Sequence, residues 1–142
     1  MPEHILSLSY GKDSMACFGA CELLGWPIDR VVTADVWATD TIPADLPPMV
    51  EFKSKADKII KERWGIEVEH VRAKRCYQDV FYMTCESDGE RGGKIYGWPY
   101  QRGPWCNSRL KQHVLARIPR DAIQYVGIAV DEPNRFHSLS DN

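Results

Sequence analysis

An α/β fold with a mostly parallel sheet is predicted by three observations. Short β-rich runs alternate with stretches of helical periodicity along the chain. The apolar run Ile5-Leu6-Ser7-Leu8 passes directly through Ser9-Tyr10-Gly11-Lys12-Asp13-Ser14 into an Ala-, Cys- and Leu-rich segment, so that a strand turns through a small-residue loop into a helix. The last β-rich run, Ile123 to Val130, is nearly all apolar, as expected of a central strand covered on both faces. Strands separated by helices are joined by right-handed crossovers and lie parallel.

Each element follows from local chemistry. After the first strand, Ser14 to Leu24 reads as a helix with Met15, Phe18, Cys21 and Leu23-Leu24 toward the core, stopped by Gly25 and Pro27. Ile28 to Val36 is β-rich and forms a second, buried strand. A Pro-containing loop from Trp37 to Pro48 leads to a helix over Met49 to Trp64, striped by Val50, Ala56, Ile59-Ile60 and Trp64 and capped by Gly65. Ile66 to Val71 alternates as a third strand. Tyr77 to Met83 suits a short helix. Glu86 to Pro104, rich in Gly and carrying Tyr96, Trp98 and Tyr100, has no regular period and reads as a lid, the alternative being a packed or disordered connection. Asn107 to Ile118 is helical with Leu110, Val114 and Leu115 inward, and Ile123 to Val130 closes the sheet.

At 142 residues, with 44% hydrophobic and 27% charged content, the chain is expected to fold as one ordinary globular domain. The net charge of -2 gives no whole-chain reason for nucleic-acid or membrane binding, and the basic cluster Arg72, Lys74 and Arg75 reads as a solvated face. No apolar stretch approaches the roughly 20 residues of a membrane span, and the N-terminus lacks a basic-then-apolar pattern. No membrane association and a cytoplasmic location are therefore expected. Five cysteines at irregular spacing predict free thiols. Cys17 and Cys21, four apart on one helix, suit small buried hydrophobes; a zinc set of Cys76, Cys85, Cys106 and His113 would require an accident of fold.

The loop after the first strand carries the chemistry. Amides at a helix start have no intrahelical partner and sit at the positive end of the macrodipole, which suits a phosphate. Gly11 permits close approach or a positive φ, Ser9 and Ser14 offer hydroxyls, and Lys12 adds a charge-assisted bond. The plain alternative is a tight turn with Asp13 or Ser14 as an N-cap. The spacing is not that of a Walker A loop.

Ser9 to Ser14 resembles the Ser-Gly-Gly-x-Asp-Ser pyrophosphate (PP) loop of the adenine nucleotide alpha-hydrolase-like superfamily, which includes ATP pyrophosphatases, thiolation enzymes and phosphoadenylylsulfate (PAPS) reductases. Tyr10 stands where that loop usually has Gly. Three further blocks are similar to the PAPS reductase-like family. Asp40-Thr41 with Pro47-Pro48 and Phe52 resembles its Asp-Thr-Gly…Pro…Phe block, with Ile42 for Gly. Gly103 to Asn107 with Arg109 and Lys111 resembles its Cys…Arg/Lys block. Gly127 to Arg135 resembles its Gly-x-Arg…Glu…Arg block, with Ala129 where Arg is common.

The resemblance implies a short version of a Rossmann-like three-layer sandwich that binds ATP or a related adenine nucleotide, with Mg²⁺. On this reading Ser9, Tyr10, Gly11, Lys12, Asp13 and Ser14 hold the phosphates, while Lys12 and Arg109 or Lys111 neutralise their charge. Asp35, Asp40 and Thr41 lie toward the nucleoside, and Asp131, Glu132 and Arg135 close the far side. Mg²⁺ would take Asp13 or Asp40, with Asp35 a third choice. The catalytic candidates are Lys12, Asp13 and Cys106, although the sequence context of Cys106 by itself favours a buried structural cysteine. The family's C-terminal Glu-Cys-Gly-x-His segment does not occur in the sequence, which argues against PAPS reduction. The expectation is either a minimal version of such an enzyme or one lacking a C-terminal part.

The implied activity is cleavage between the α- and β-phosphates to adenylate a substrate or support sulfur transfer. The alternative is a catalytically inactive regulator or inhibitor, of mobile-element type, that engages a nucleic acid or protein partner. A redox protein pairing Cys106 with Cys76 or Cys85 is a third. The oligomeric state is not legible.

Overall fold

The computed structural model describes residues 1–100, 102, 104–132 and 135. Four strands, β1 (His4–Ser7), β2 (Arg30–Asp35), β3 (Val68–Arg72) and β4 (Ile123–Val126), form a parallel sheet in the order β3-β2-β1-β4. Helices alternate with them: α1 (Lys12–Leu24), α2 (Pro47–Trp64) and α3 (Tyr77–Phe81). A further helix runs in three pieces, α4 (Trp105–Asn107), a π-helical turn (Ser108–Gln112) and α5 (His113–Leu115). The protein is therefore of the α/β class.

Local chemistry accounts for the boundaries. The α1 helix starts at Lys12, two residues before the sequence-based start at Ser14. It ends at Gly25, whose φ of 66° closes a paired motif in which Gly25 N–H donates to Glu22 O and Trp26 N–H to Cys21 O. Gly65, at φ 70°, ends α2 in the same region, with its N–H on Lys61 O.

The last strand departs from expectation. It spans Ile123–Val126, not Ile123 to Val130, and lies at the edge of the described sheet, not at its centre. Its ladder with β1 pairs His4 with Ile123 and Ser7 with Val126. That ladder ends at Ser7 and Val126, although on its other side β1 still bonds β2 one residue further on, through Leu8 N–H to Val32 O. Ile123 and Val126 are each 40% exposed and Val130 is 95% exposed. The apolar run marks strand propensity; position in the sheet follows from what β1 offers.

The chain groups into two compact units: Met1–Thr33, Glu51–His70 and Ile118–Asn142 form the first, Ala34–Val50 and Val71–Arg117 the second. In the first, Leu6, Leu8, Phe18, Val31, Ala56 and Ile60 make a core, and Phe18 lies 4.8 Å from the Trp64 ring. Arg30 clasps Glu69 through Nε and Nη2 at 2.6 and 2.7 Å and reaches Glu3 at 3.2 Å. That clasp holds the Glu69 carboxyl below the usual glutamate range. In the second unit, Ala73, Val80, Trp105, Leu110 and Val114 form a core of their own.

The irregular segment after α3 is tied by backbone hydrogen bonds, while residues 86–95, Trp98 and Tyr100 are exposed. Thr84 and Ile95 form an antiparallel bridge, Cys85 N–H donates to Lys94 O, and Tyr96 N–H donates to Met83 O. Trp105 Nε1 then pins the segment by donating to Gly97 O at 3.1 Å. No helix among the described residues is long and apolar enough to cross a membrane.

Candidate functional site

Strand order runs outward from β1 through β2 to β3 and then returns to set β4 on the other side of β1. The reversal falls between β1 and β4, the position in an open α/β sheet where the connections diverge and leave a crevice beyond the strand ends. The segment leaving β1 there is Leu8 to Gly11, and the residue leaving β4 is Gly127.

The loop is built around Ser14, which is buried. Its hydroxyl accepts Ser9 N–H at 3.2 Å, lies 3.0 Å from Ser9 Oγ, and donates to Gly11 O at 3.1 Å. Gly11 N–H in turn donates to Ser9 Oγ at 3.4 Å. Gly11 is the N-cap of α1 and brings no side-chain acceptor, so the opening amides of α1 have no cap to bond. The Lys12 and Asp13 side chains make no ion pair or hydrogen bond among the described residues, and Lys12 is exposed. The result is a short cage of hydroxyls and amides with a cation at its mouth.

Two findings refine the sequence reading. The positive φ falls on Tyr10, at 60°, while Gly11 is extended at φ -75°. The Tyr10 ring is buried in the first core, its hydroxyl donating to Asp57 Oδ1 at 2.6 Å and lying 3.3 Å from His70 Nε2, so only its backbone faces the loop's chemistry. Gly127 is the residue whose lack of a side chain matters: a Cβ there would lie 2.4 Å from both Asp13 C and Ser14 N. The segment leaving β4 rests on the backbone that opens α1.

Of the block after β4, Glu132 and Arg135 pair at 2.8 Å, and Glu132 N–H bonds Ala129 O, so these residues shape a local turn. Asp131 is exposed in that turn. Pro133 and Asn134 lie outside the described residues, as does Gly103 of the Cys-containing block.

Asp35, Asp40, Thr41, Cys106, Arg109 and Lys111 belong to the second unit. Asp40-Thr41 form the tip of a tight loop closed by a Trp37–Pro43 bridge and by Thr39 Oγ1 accepting Ile42 N–H. Carbonyls of Trp37 and Ala38 accept the first amides of α3, from Tyr77 and Gln78. This docks the tip beside Cys76, the N-cap of α3. The Cys76 sulfur and the Asp79 carboxylate each accept the other residue's amide, a capping box with Cys in the Ser position. The bond holds the Asp79 carboxyl below its usual range. The pattern Cys76-x-x-Asp79 is the signal that sequence reading passed over.

Ligand atoms of Asp40, Cys76 and Asp79 lie within 4.8 Å of one another, the one such grouping among the described residues. It does not suit Mg²⁺, which demands oxygen ligands, because one of three donors is a thiol already committed to the cap. Of its two carboxylates, that of Asp79 is bonded to the Cys76 amide. Asp35, at the end of β2, lies with Trp37, Arg72 and Cys76 around a shallow depression. Cys106 sits in α4, half-buried against the second core, with no hydrogen-bond partner among the described residues. Arg109 donates to Tyr96 Oη at 2.8 Å and lies over the Tyr96 ring, and Lys111 is exposed.

Comparisons of the chain with protein families, with curated proteins and with solved structures find no match.

Proposed function

We propose that the chain binds ATP or a related adenine nucleotide through the Ser9–Ser14 loop, within a Rossmann-like three-layer arrangement of PAPS reductase-like type, and cleaves the α–β phosphate bond to adenylate a substrate. The observation that carries this reading is the approach of Gly127 to the backbone of Asp13 and Ser14 at the point where strand order reverses. A turn with no ligand needs no such close approach, whereas a phosphate cradle needs its amides held in a fixed direction. The resemblance of four sequence blocks, in order, to the PP-loop proteins points the same way.

In the proposed reaction a nucleophilic oxygen of the acceptor attacks the α-phosphorus, and pyrophosphate departs with the bonding electron pair. The α1 amides and Lys12 would take up the charge that develops on the leaving group. Asp13 would bind Mg²⁺ with the phosphates supplying the remaining ligands, and the ion would neutralise charge shared between them. Cys106 has no assigned step.

Isothermal titration with ATP·Mg²⁺ and an assay of pyrophosphate release test this. Binding by the wild type and a loss of about tenfold or more in Lys12→Ala are expected, since a charge-assisted contact contributes about 1.5–3 kcal/mol. A folded wild-type protein that binds neither ATP, ADP, PAPS nor adenosine would turn the reading to a non-catalytic regulator. The aromatic at position 10, fixed in the core where a PP-loop has glycine, is the feature that favours that second reading.

A further inference from the structure

We infer that the second unit carries a separate site for single-stranded nucleic acid, in which a basic cleft takes the phosphodiester backbone and neighbouring exposed rings take the bases. The cleft, of about 590 Å³, is lined by Lys74 and Arg75 following β3, by Ser108 and Arg109 of the π-helical turn, and by His113 and Arg117 beyond it. Lys74, Arg75, Arg109 and Arg117 thus gather in one cleft of a chain whose net charge is -2. None of the four forms an ion pair with a carboxylate among the described residues. Asp79 feels the charge of Arg75, but its carboxylate is bonded to the Cys76 amide. Like charges held together without counter-charges repel, and an anionic occupant relieves that repulsion.

The π-helical turn helps assemble the cleft. Widening the helix there swings Ser108 toward the side of His113, five residues on, while Arg109, His113 and Arg117 follow one another at four-residue spacing. Leu110, within the same turn, stays 2% exposed in the second core, so the donors are presented from an anchored element.

The rings distinguish a nucleic acid from a small phosphate. Val80 of α3 lines the cleft, and the next ring, Phe81, meets Tyr82 at 4.9 Å and Trp98 at 5.1 Å, both edge-on. Tyr82 is 62% and Trp98 78% exposed. Arg75 Nη1 lies 2.8 Å from Met83 Sδ, which ties the cationic wall to the same end of α3. Exposed aromatic faces beside cations that no carboxylate neutralises form a stacking platform with an electrostatic groove, the combination that holds single strands with little sequence preference. A small polyphosphate accounts for the cations but leaves the rings without a role, and a duplex keeps its bases from them.

This site uses the second unit alone and does not rest on the nucleotide reading, although it assigns Arg109 to a different anion. The test is fluorescence anisotropy with a labelled oligothymidylate of roughly 12 nucleotides, titrated at several salt concentrations. Binding that weakens as salt rises is expected. The double variant Lys74→Gln/Arg75→Gln should lose about tenfold or more in affinity and flatten the salt dependence. Trp98→Ala should lose about tenfold with its salt slope unchanged, because stacking rather than charge is removed. Circular dichroism establishes that each variant is folded, and excess ATP·Mg²⁺ should not displace the oligonucleotide. Absence of binding by folded wild-type protein at low salt overturns the inference. So does displacement by inorganic triphosphate or ATP, which would identify a small-polyphosphate site, and so does a duplex that binds as tightly with Trp98→Ala without effect. Loss of pyrophosphate release with oligonucleotide binding intact would sink the nucleotide reading and leave this one standing.

Discussion

In the proposed phosphate loop, Tyr10 and Gly127 divide the task that glycines ordinarily perform. Tyr10 adopts φ 60°, a region that costs a non-glycine residue about 1 kcal/mol or more, and the core repays this by burying its ring and accepting its hydroxyl at Asp57. Tyr10→Gly removes the backbone penalty but also a packed aromatic worth about 3–5 kcal/mol, so a net destabilisation of about 2–4 kcal/mol is expected in urea unfolding. A variant as stable as the wild type would mean that the ring contributes nothing to the core. Gly127 works by absence. In Gly127→Ala the new methyl must displace the Asp13–Ser14 backbone, since a 2.4 Å approach cannot be tolerated. Overpacking of that kind costs about 1–3 kcal/mol, and ATP affinity should fall further than stability does, because the displaced atoms are the proposed ligands. Paired thermal melts and titration calorimetry check both effects.

At the scale of elements, the clasp of Arg30 on Glu69 is a titratable joint. Glu69 has a folded-state pKa below its unfolded value of about 4.3. Its stabilisation is therefore fully present above that value and is lost as pH falls through the lower folded value. Both side chains are more than a third exposed, at 37% and 41%, so screening holds the effect to about 1 kcal/mol or less. Glu69→Gln should be slightly less stable than the wild type at pH 7 and should lose less stability between about pH 5 and pH 3. Parallel acid limbs in the two proteins would show that the clasp carries no such linkage. The short β4 is explained at this scale as well. Its ladder with β1 closes at the Ser7–Val126 pair, so the apolar residues after Val126 lie outside the pairing with β1.

For the molecule as a whole, nucleotide binding would be linked to folding. A ligand that binds only the folded state adds about 2.7 kcal/mol at a hundredfold excess over its dissociation constant. Saturating ATP·Mg²⁺ should accordingly raise the melting temperature of the wild type in calorimetry. The shift should shrink in Gly127→Ala, and an unchanged melting temperature in the wild type would count directly against the proposed nucleotide site. The oligonucleotide proposed for the second unit should raise the melting temperature independently of Gly127.

What the amino-acid order determined by itself was local. Alternation of strands and helices, the glycine stops at Gly25 and Gly65, and the helix-opening loop at Ser9–Ser14 are written in periodicity and backbone chemistry, which act over a few residues. Which glycine is indispensable, where the Tyr10 ring goes, that β4 takes the edge, and that Lys74 and Arg75 share a cleft with Arg109 and Arg117 were decided by tertiary structure. Each depends on residues tens of positions apart meeting in space. Gly127 meets the Asp13–Ser14 backbone only once β4 lies beside β1, and the basic run after β3 lines a cleft only once the π-helical turn is packed against it. Such contacts leave no mark on local periodicity, which reports only on neighbours a few residues apart.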